Sequence, residues 1–230
     1  MSTLNAMNGP EMLEWLETRR SRRVFEAKPV SKEILGRLMH AAVTAPSNTN
    51  RQPWRFAVVS KASVRKQIAA AVRTRAEEIK AIIKRGHHAD DFANYGDFFH
   101  EPLDSAAAII IPQWRDYPDL IADFIASGGG DPKQWHTASS MQAELCSTCA
   151  AVMALLLQAH AEGLGACWMA GPMIAKPDIE QLLGIREPFR MVGAIALGWP
   201  AGVPPQSPGR KPLERVVQWV EDDDERNPLV

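Results

Sequence analysis

The chain has 230 residues, 46% hydrophobic and 23% charged, a balance that gives a folded globular protein a sizeable core and excludes a disordered one. Its formal net charge of −1 argues against a general binder of nucleic acid or of a membrane surface. The length suits one domain over 1–230.

Three cysteines, an odd number, make no secreted disulfide framework. The start, MSTLNAMNGPEM, lacks the basic and apolar regions of a signal peptide. No apolar run is read as reaching the roughly 18–20 residues that span a bilayer, so a cytoplasmic protein is expected.

In chain order, Pro10 opens a helix over PEMLEWLETRR, with Met12, Leu13 and Leu16 on its apolar face. Ser31 as N-cap and Glu33 in the first turn predict a helix over SKEILGRLMHAAVTA, stopped by Pro46. APSNTNRQPW (45–54) reads as a polar loop, RFAVVS (55–60) as a β-branched strand, and about 62–85 as a long charged helix. The continuous apolar run SAAAIII (105–111) predicts a buried strand.

Residues 112–133, with SGGG at 127–130, are predicted to form a loop long enough to be a lid. The stretch 134–163 reads as the longest helix, ended by Gly163. Its second half is apolar almost all round and needs cover on every side, for which a partner subunit is a candidate. A short helix near KPDIEQLL and a strand RMVGAIALG (190–198) follow GACWMAGP (165–172). A proline-rich loop, 199–212, carries Arg210 and Lys211, and the acidic tail 221–230 is expected to fray. The irregular order, without βαβ alternation, favours an α+β fold.

Within TRRSRRVF (18–25), Arg19, Arg20, Arg22 and Arg23 surround Ser21, and no acid lies between Glu17 and Glu26. An arginine grips a phosphate with two parallel hydrogen bonds. Each bond to a charged group contributes roughly 1.5–3 kcal/mol, against about 0–1 for an exposed ion pair. The alternative is a solvated basic turn, or pairing with Glu14, Glu17 and Glu26.

Ser47, Asn48, Asn50 and Gln52 can read a polar ring edge, or merely close an Asx turn between helix and strand. The two loops and GACWMAGP together describe a site for a phosphorylated heteroaromatic cofactor. Cys146 and Cys149 resemble a redox half-site but suit a close-packed helix face. His87, His88, Asp90 and Asp91 have ligand types without helical i, i+4 spacing, so no metal is expected. No catalytic acid–base pair is found. Trp168 and Met169 suit either the core or a cofactor face, and Trp114 and Trp135 flank the proposed lid.

RRSRRVFEAKPV, AAVTAPSNTNRQPWRFAVV, HAEGLGACWMAGP and VGAIALGWPA…GRKPLERVV together resemble the nitroreductase family of flavin enzymes, from about Glu17 to Val220. The resemblance implies an intertwined homodimer with a mainly antiparallel mixed sheet wrapped by helices and FMN at the subunit interface. Arg19 and Ser21 become phosphate ligands, with Arg20 nearby, and Arg23 faces the flavin pyrimidine edge. Arg22, out of phase, is expected to face solvent.

Pro46, Ser47, Asn48 and Asn50 then approach the flavin from the other subunit, and backbone amides of Met169, Ala170 or Gly171 lie on its N5 side. Arg210 closes on the phosphate, with Lys211 as the competing choice. The family's ligand on the helix after the first strand has only Arg65 and Lys66 as candidates.

The implied activity is ping-pong hydride transfer from NADH or NADPH, through FMN, to a planar electron-poor small molecule such as a nitroaromatic or quinone. Alternatives are a flavin-handling protein without nicotinamide turnover, a dehydrogenase of a specialised substrate, or a dehalogenase. AEEIKAIIKR has acids and lysines for a dehalogenase's amino-acid grip, but no tyrosine precedes Tyr95.

Overall fold

A computed structural model describes residues 7–86 and 96–220. The readings on His87, His88, Asp90, Asp91, Tyr95 and the tail 221–230 lie outside the described residues. Asn8 starts helix α1 (Gly9–Thr18) with a capping box: its side chain accepts from Glu11 N while the Glu11 carboxylate accepts from Asn8 N. Ser31 caps α2 (Lys32–Val43) as its sequence position suggests, its hydroxyl accepting from Ile34 N.

Strand β1 (Trp54–Val59) leads into α3 (Ala62–Ile83), and α4 (Asp97–Ser105) precedes β2 (Ala108–Trp114). Helices α5 (Leu120–Ser127) and α6 (Ala143–Ala161) follow. The chain then forms β3 (Gly165–Met169), α7 (Lys176–Leu183), β4 (Arg190–Met191) and β5 (Ala194–Gly198).

The strands form one antiparallel sheet in the order β1-β2-β5-β3, with β4 also paired to β2. Side chains alternate across it. Ile109, Ile111, Cys167, Met169, Ala194 and Ala196 pack with Ile68 and Val72 of α3, Leu103 of α4 and Ile179 of α7. Ala108, Ile110, Ala166, Ile195 and Leu197 pack with Leu35 and Leu38 of α2 and with Val152 and Leu155 of α6. A sheet covered on both faces explains why β2 is a continuous isoleucine run. The result is an α+β fold.

Several local expectations are corrected. The longest helix among the described residues is α3, with 22 residues, whereas α6 has 19 and starts at Ala143, not 134. Side chains divert the chain before it: Lys133 N donates to Asp131 Oδ1, and Thr137 exchanges capping bonds with Ser140. A left-handed Gln142, φ 51°, then marks the break.

The segment 112–133 is not all loop. Strand β2 continues through Pro112 to Trp114, and Asp119 caps α5 by accepting from Ala122 N. Pro112 lacks a ladder donor and so reads as a stop. The stretch 190–198 splits into β4 and β5 at Val192 and Gly193. By length and composition α6 is long and apolar enough to cross a membrane, contrary to expectation, although half of it is buried within this chain.

Arg37 ties α2 to the end of α6, donating through Nε and Nη2 to the two Glu162 oxygens at 2.6 and 2.8 Å. These bonds, outweighing burial, hold the Glu162 carboxyl at about 2 against an ordinary 4.5. The folded state therefore binds fewer protons than the unfolded chain across that window. Its contribution is full above pH 4.5 and is lost as pH falls through about 2. Urea titrations across that range should show a shallower acid limb for Glu162→Gln than for wild type; parallel limbs would refute the assignment.

Candidate cofactor site

Helix α1 ends where Arg19 turns extended, at φ −64° and ψ 127°. The following residues run beside β3: Ser21 bridges Ala166 in parallel, and Arg22 N donates to Ala166 O at 3.1 Å. Gly165 permits this approach, because a Cβ there would lie 2.7 Å from Arg22 Cβ. Extended backbone sends alternate side chains to opposite sides, and the arginines divide accordingly.

Arg20 donates to Glu17 O and Arg19 O, folding back on its own helix end. Arg22 is not solvent-facing, contrary to expectation: its Nη2 donates to Ala201 O and Gly202 O, each at 3.0 Å, and clips down the loop after β5. The Arg19 guanidinium makes no hydrogen bond or ion pair with any described residue, although the Arg19 backbone donates to Leu16 O and accepts from Arg20. Ser21 and Arg23 face the buried Cys167 thiol. Burial pushes that thiol up, while the Arg23 charge, the Ser21 hydroxyl and the Arg19 charge pull it back.

A cavity of about 250 Å³ opens between Arg19, Arg20 and Arg22 on one wall and Leu156, His160 and Leu164 on another. His160 packs against Trp15 with the rings tilted by 39° and their centres 5.0 Å apart. Thr18 gives its single hydroxyl proton to Trp15 O, so the 2.8 Å contact with His160 is Nε2–H donating to Thr18 Oγ1. Burial keeps this imidazole below its ordinary value, against a hydrogen bond with the Trp15 backbone; the Arg19 charge adds to the lowering. No sequence motif marks this His160–Thr18 contact, which spans 142 positions.

Pro46, Ser47, Asn48 and Asn50 lie elsewhere in the same chain. Asn48 N donates to Ser147 Oγ on the early part of α6, and Gln52 N donates to Ser47 Oγ. Thr49, Asn50 and Gln52 all have left-handed φ, of 47°, 54° and 47°, strain of the kind that concentrates at functional loops. Behind the loop, Arg51 pairs with the buried Glu144 at 2.8 Å. Ser147 and His160, 13 residues apart on α6, are separated by about 20 Å at 1.5 Å per residue. One chain therefore does not bring this loop to the arginine cavity.

Met169 ends β3 buried, and Ala170 and Gly171 begin a 3-10 turn. Phe99 packs so closely on Gly171 that a Cβ would fall 2.1 Å from its ring. Trp168 is 37% exposed, with its indole N–H donated to Val192 O. Arg210 donates only to Gly209 O among the described residues; it and Lys211 lie in an exposed stretch outside the arginine cavity. Arg65 donates to Ser60 O and lines a different cleft with Lys28 and Asp104. No group of three or more His, Cys, Asp or Glu is arranged to hold a metal among the described residues.

A model of the Nitroreductase family matches residues 16–199. A protein named NADH dehydrogenase from Thermus thermophilus is 29% identical over 206 residues, 87% of this chain and 92% of that one. An iodotyrosine deiodinase of Haliscomenobacter hydrossis is 28% identical over 115 residues, 49% of this chain and 51% of that protein. The crystal structure of a BluB-like flavoprotein from Clostridium difficile 630 shares the fold with a TM-score of 0.79 at 24% identity, covering 92% and 99% of the two chains. With the arginine turn, the strained 46–52 loop and the two-sided sheet inside the matched span, the chain belongs to the Nitroreductase family and is an oxidoreductase.

Proposed function

We propose that the chain, as a single-domain protomer of a homodimer, is an FMN-dependent oxidoreductase that carries electrons from NADH or NADPH, by ping-pong hydride transfer, to a planar electron-poor acceptor such as a nitroaromatic or quinone. One observation carries the reading. The Arg19 guanidinium, without a partner among the described residues, lines a cavity together with Arg20 and Arg22, each of which gives one terminal nitrogen to backbone carbonyls and keeps its other N–H groups.

That donor set fits a flavin phosphate with its ring beside it. When bound, FMN supplies the hydride-accepting and hydride-donating ring. Arg19 and Ser21 hold the phosphate, and Arg23 places a positive charge at the pyrimidine edge. Arg20 acts as a positioning residue.

The second copy contributes Pro46, Ser47, Asn48 and Asn50, and the amides of Met169, Ala170 or Gly171 line the N5 side. Arg210, or Lys211 in its place, reaches the phosphate when the exposed arm closes on the dimer. The roughly 20 Å along α6 between loop and cavity supports a site shared by two chains. So does the face of α6 that this chain leaves uncovered, where Met153 is 43% exposed. The segment 112–133 serves as the lid over the acceptor.

Purified protein reconstituted with FMN should oxidise NADH or NADPH anaerobically, and a nitroaromatic added afterwards should restore the oxidised flavin spectrum. FMN binding without nicotinamide oxidation would refute the activity and leave a flavin-binding protein. Dehalogenation is the second reading, favoured by the deiodinase similarity over half the chain. Against it, Lys80 and Glu77 already pair with each other, and Lys80 also pairs with Asp97. Iodide release from iodotyrosine by the reduced protein would reverse that preference.

A further inference from the structure

Away from the arginine turn, a second group of cations gathers where β1 and β4 begin and β2 ends. Arg51 is neutralised by Glu144, and Arg190 by Asp116. Arg55 and Arg115 pair with no carboxylate among the described residues. Both nevertheless converge on one ring, their guanidinium carbons 4.0 and 5.7 Å from the centre of Phe189.

Arg115 also lies 4.6 Å from the Tyr117 ring centre, and the Nε atoms of Arg115 and Arg190 are buried without a hydrogen-bond partner. Ring stacking accounts for one cation on Phe189. A second like charge on the same ring is repulsive, and a buried N–H donor without an acceptor is unfavourable. An anion on the solvent side of Arg55 and Arg115 offsets that repulsion. Beside them a cleft of about 560 Å³ is lined by Trp114, Asp116, Tyr117, Gln142, Glu144 and Arg190, with aromatic surface for a planar group.

We propose that Arg55 and Arg115, organised around Phe189, bind a phosphate monoester of the kind a nucleotide carries. Two unbalanced guanidinium groups match the roughly two charges of such a group and its paired acceptor oxygens. Only the assignment to a phosphorylated nicotinamide dinucleotide rests on the nicotinamide reading above. The anion site itself does not.

The test is calorimetric titration of FMN-loaded protein, so that the Arg19 turn is already filled, with 2′,5′-ADP and separately with inorganic phosphate. Arg55→Gln, at an exposed position, and Arg55→Gln with Arg115→Gln should each weaken binding, the double change by about tenfold or more, at unchanged FMN content. Tighter binding of 2′,5′-ADP supports a nucleotide, and equal binding supports free phosphate as the source. No binding of either probe, or equal affinity in wild type and both variants, overturns the site. Phosphate binding here by a protein that fails to oxidise nicotinamide would refute only the activity above.

Discussion

Replacing Arg19 by alanine is expected to weaken FMN retention by about 10- to 100-fold, since hydrogen bonds to a charged group contribute roughly 1.5–3 kcal/mol. Arg19 has no competing partner among the described residues, so its whole donor set is available to a phosphate. Arg20→Ala should weaken retention less than Arg19→Ala, because its Nη1 already serves Glu17 O and Arg19 O. Arg22→Ala should act differently again, loosening the loop at Ala201 and Gly202 and lowering stability more than affinity. Recovery of FMN fluorescence on dilution measures retention in all three, and a thermal melt measures the stability lost in the Arg22 variant. Equal losses in the Arg19 and Arg20 variants would mean that net charge, not a directed grip, holds the cofactor.

The largest stability effect should come from Glu144→Ala. Its side chain is 5% exposed and pairs at 2.8 Å with Arg51, itself 20% exposed. Breaking a buried pair by removing one partner costs about 3–5 kcal/mol. Residual solvent at Arg51 reduces that to about 2–3, or roughly 4–12 °C in Tm for a chain of this size. Because Arg51 closes the strained 46–52 loop, FMN retention should fall with it. Arg51→Met combined with Glu144→Ala should recover most of the stability, since no uncompensated charge then stays buried. Thermal melts at fixed protein and FMN concentrations test this. A drop below about 1 °C for the single variant would show that the pair is too solvated to matter.

Much of the fold is legible in the sequence because local physics sets it. Ser31 starts α2 through its own hydroxyl, and the isoleucines of β2 state that both sheet faces are covered. The start of α6 is not legible, because Asp131 and Thr137 divert the backbone through side-chain bonds that compete with a helix. The existence of α5 is hidden by the glycines that follow it.

At the site, composition reveals the arginine turn, but only tertiary contacts separate Arg19 from Arg20 and Arg22. Arg22 looks solvent-facing by phase, yet its carbonyl partners lie 179 and 180 positions away. Distance of that kind also conceals the Arg55–Arg115–Phe189 group, whose members come from three parts of the chain.

In the proposed dimer a flavin phosphate sits on Arg19 and Ser21 while its ring is completed by a second copy of the chain. A crystal structure of the FMN-loaded protein tests this most directly. Phosphate oxygens are expected within hydrogen-bonding distance of Arg19 and Ser21, with residues 46–50 of a neighbouring copy against the ring. FMN bound elsewhere, or an arginine turn remote from every second-copy loop, would contradict it.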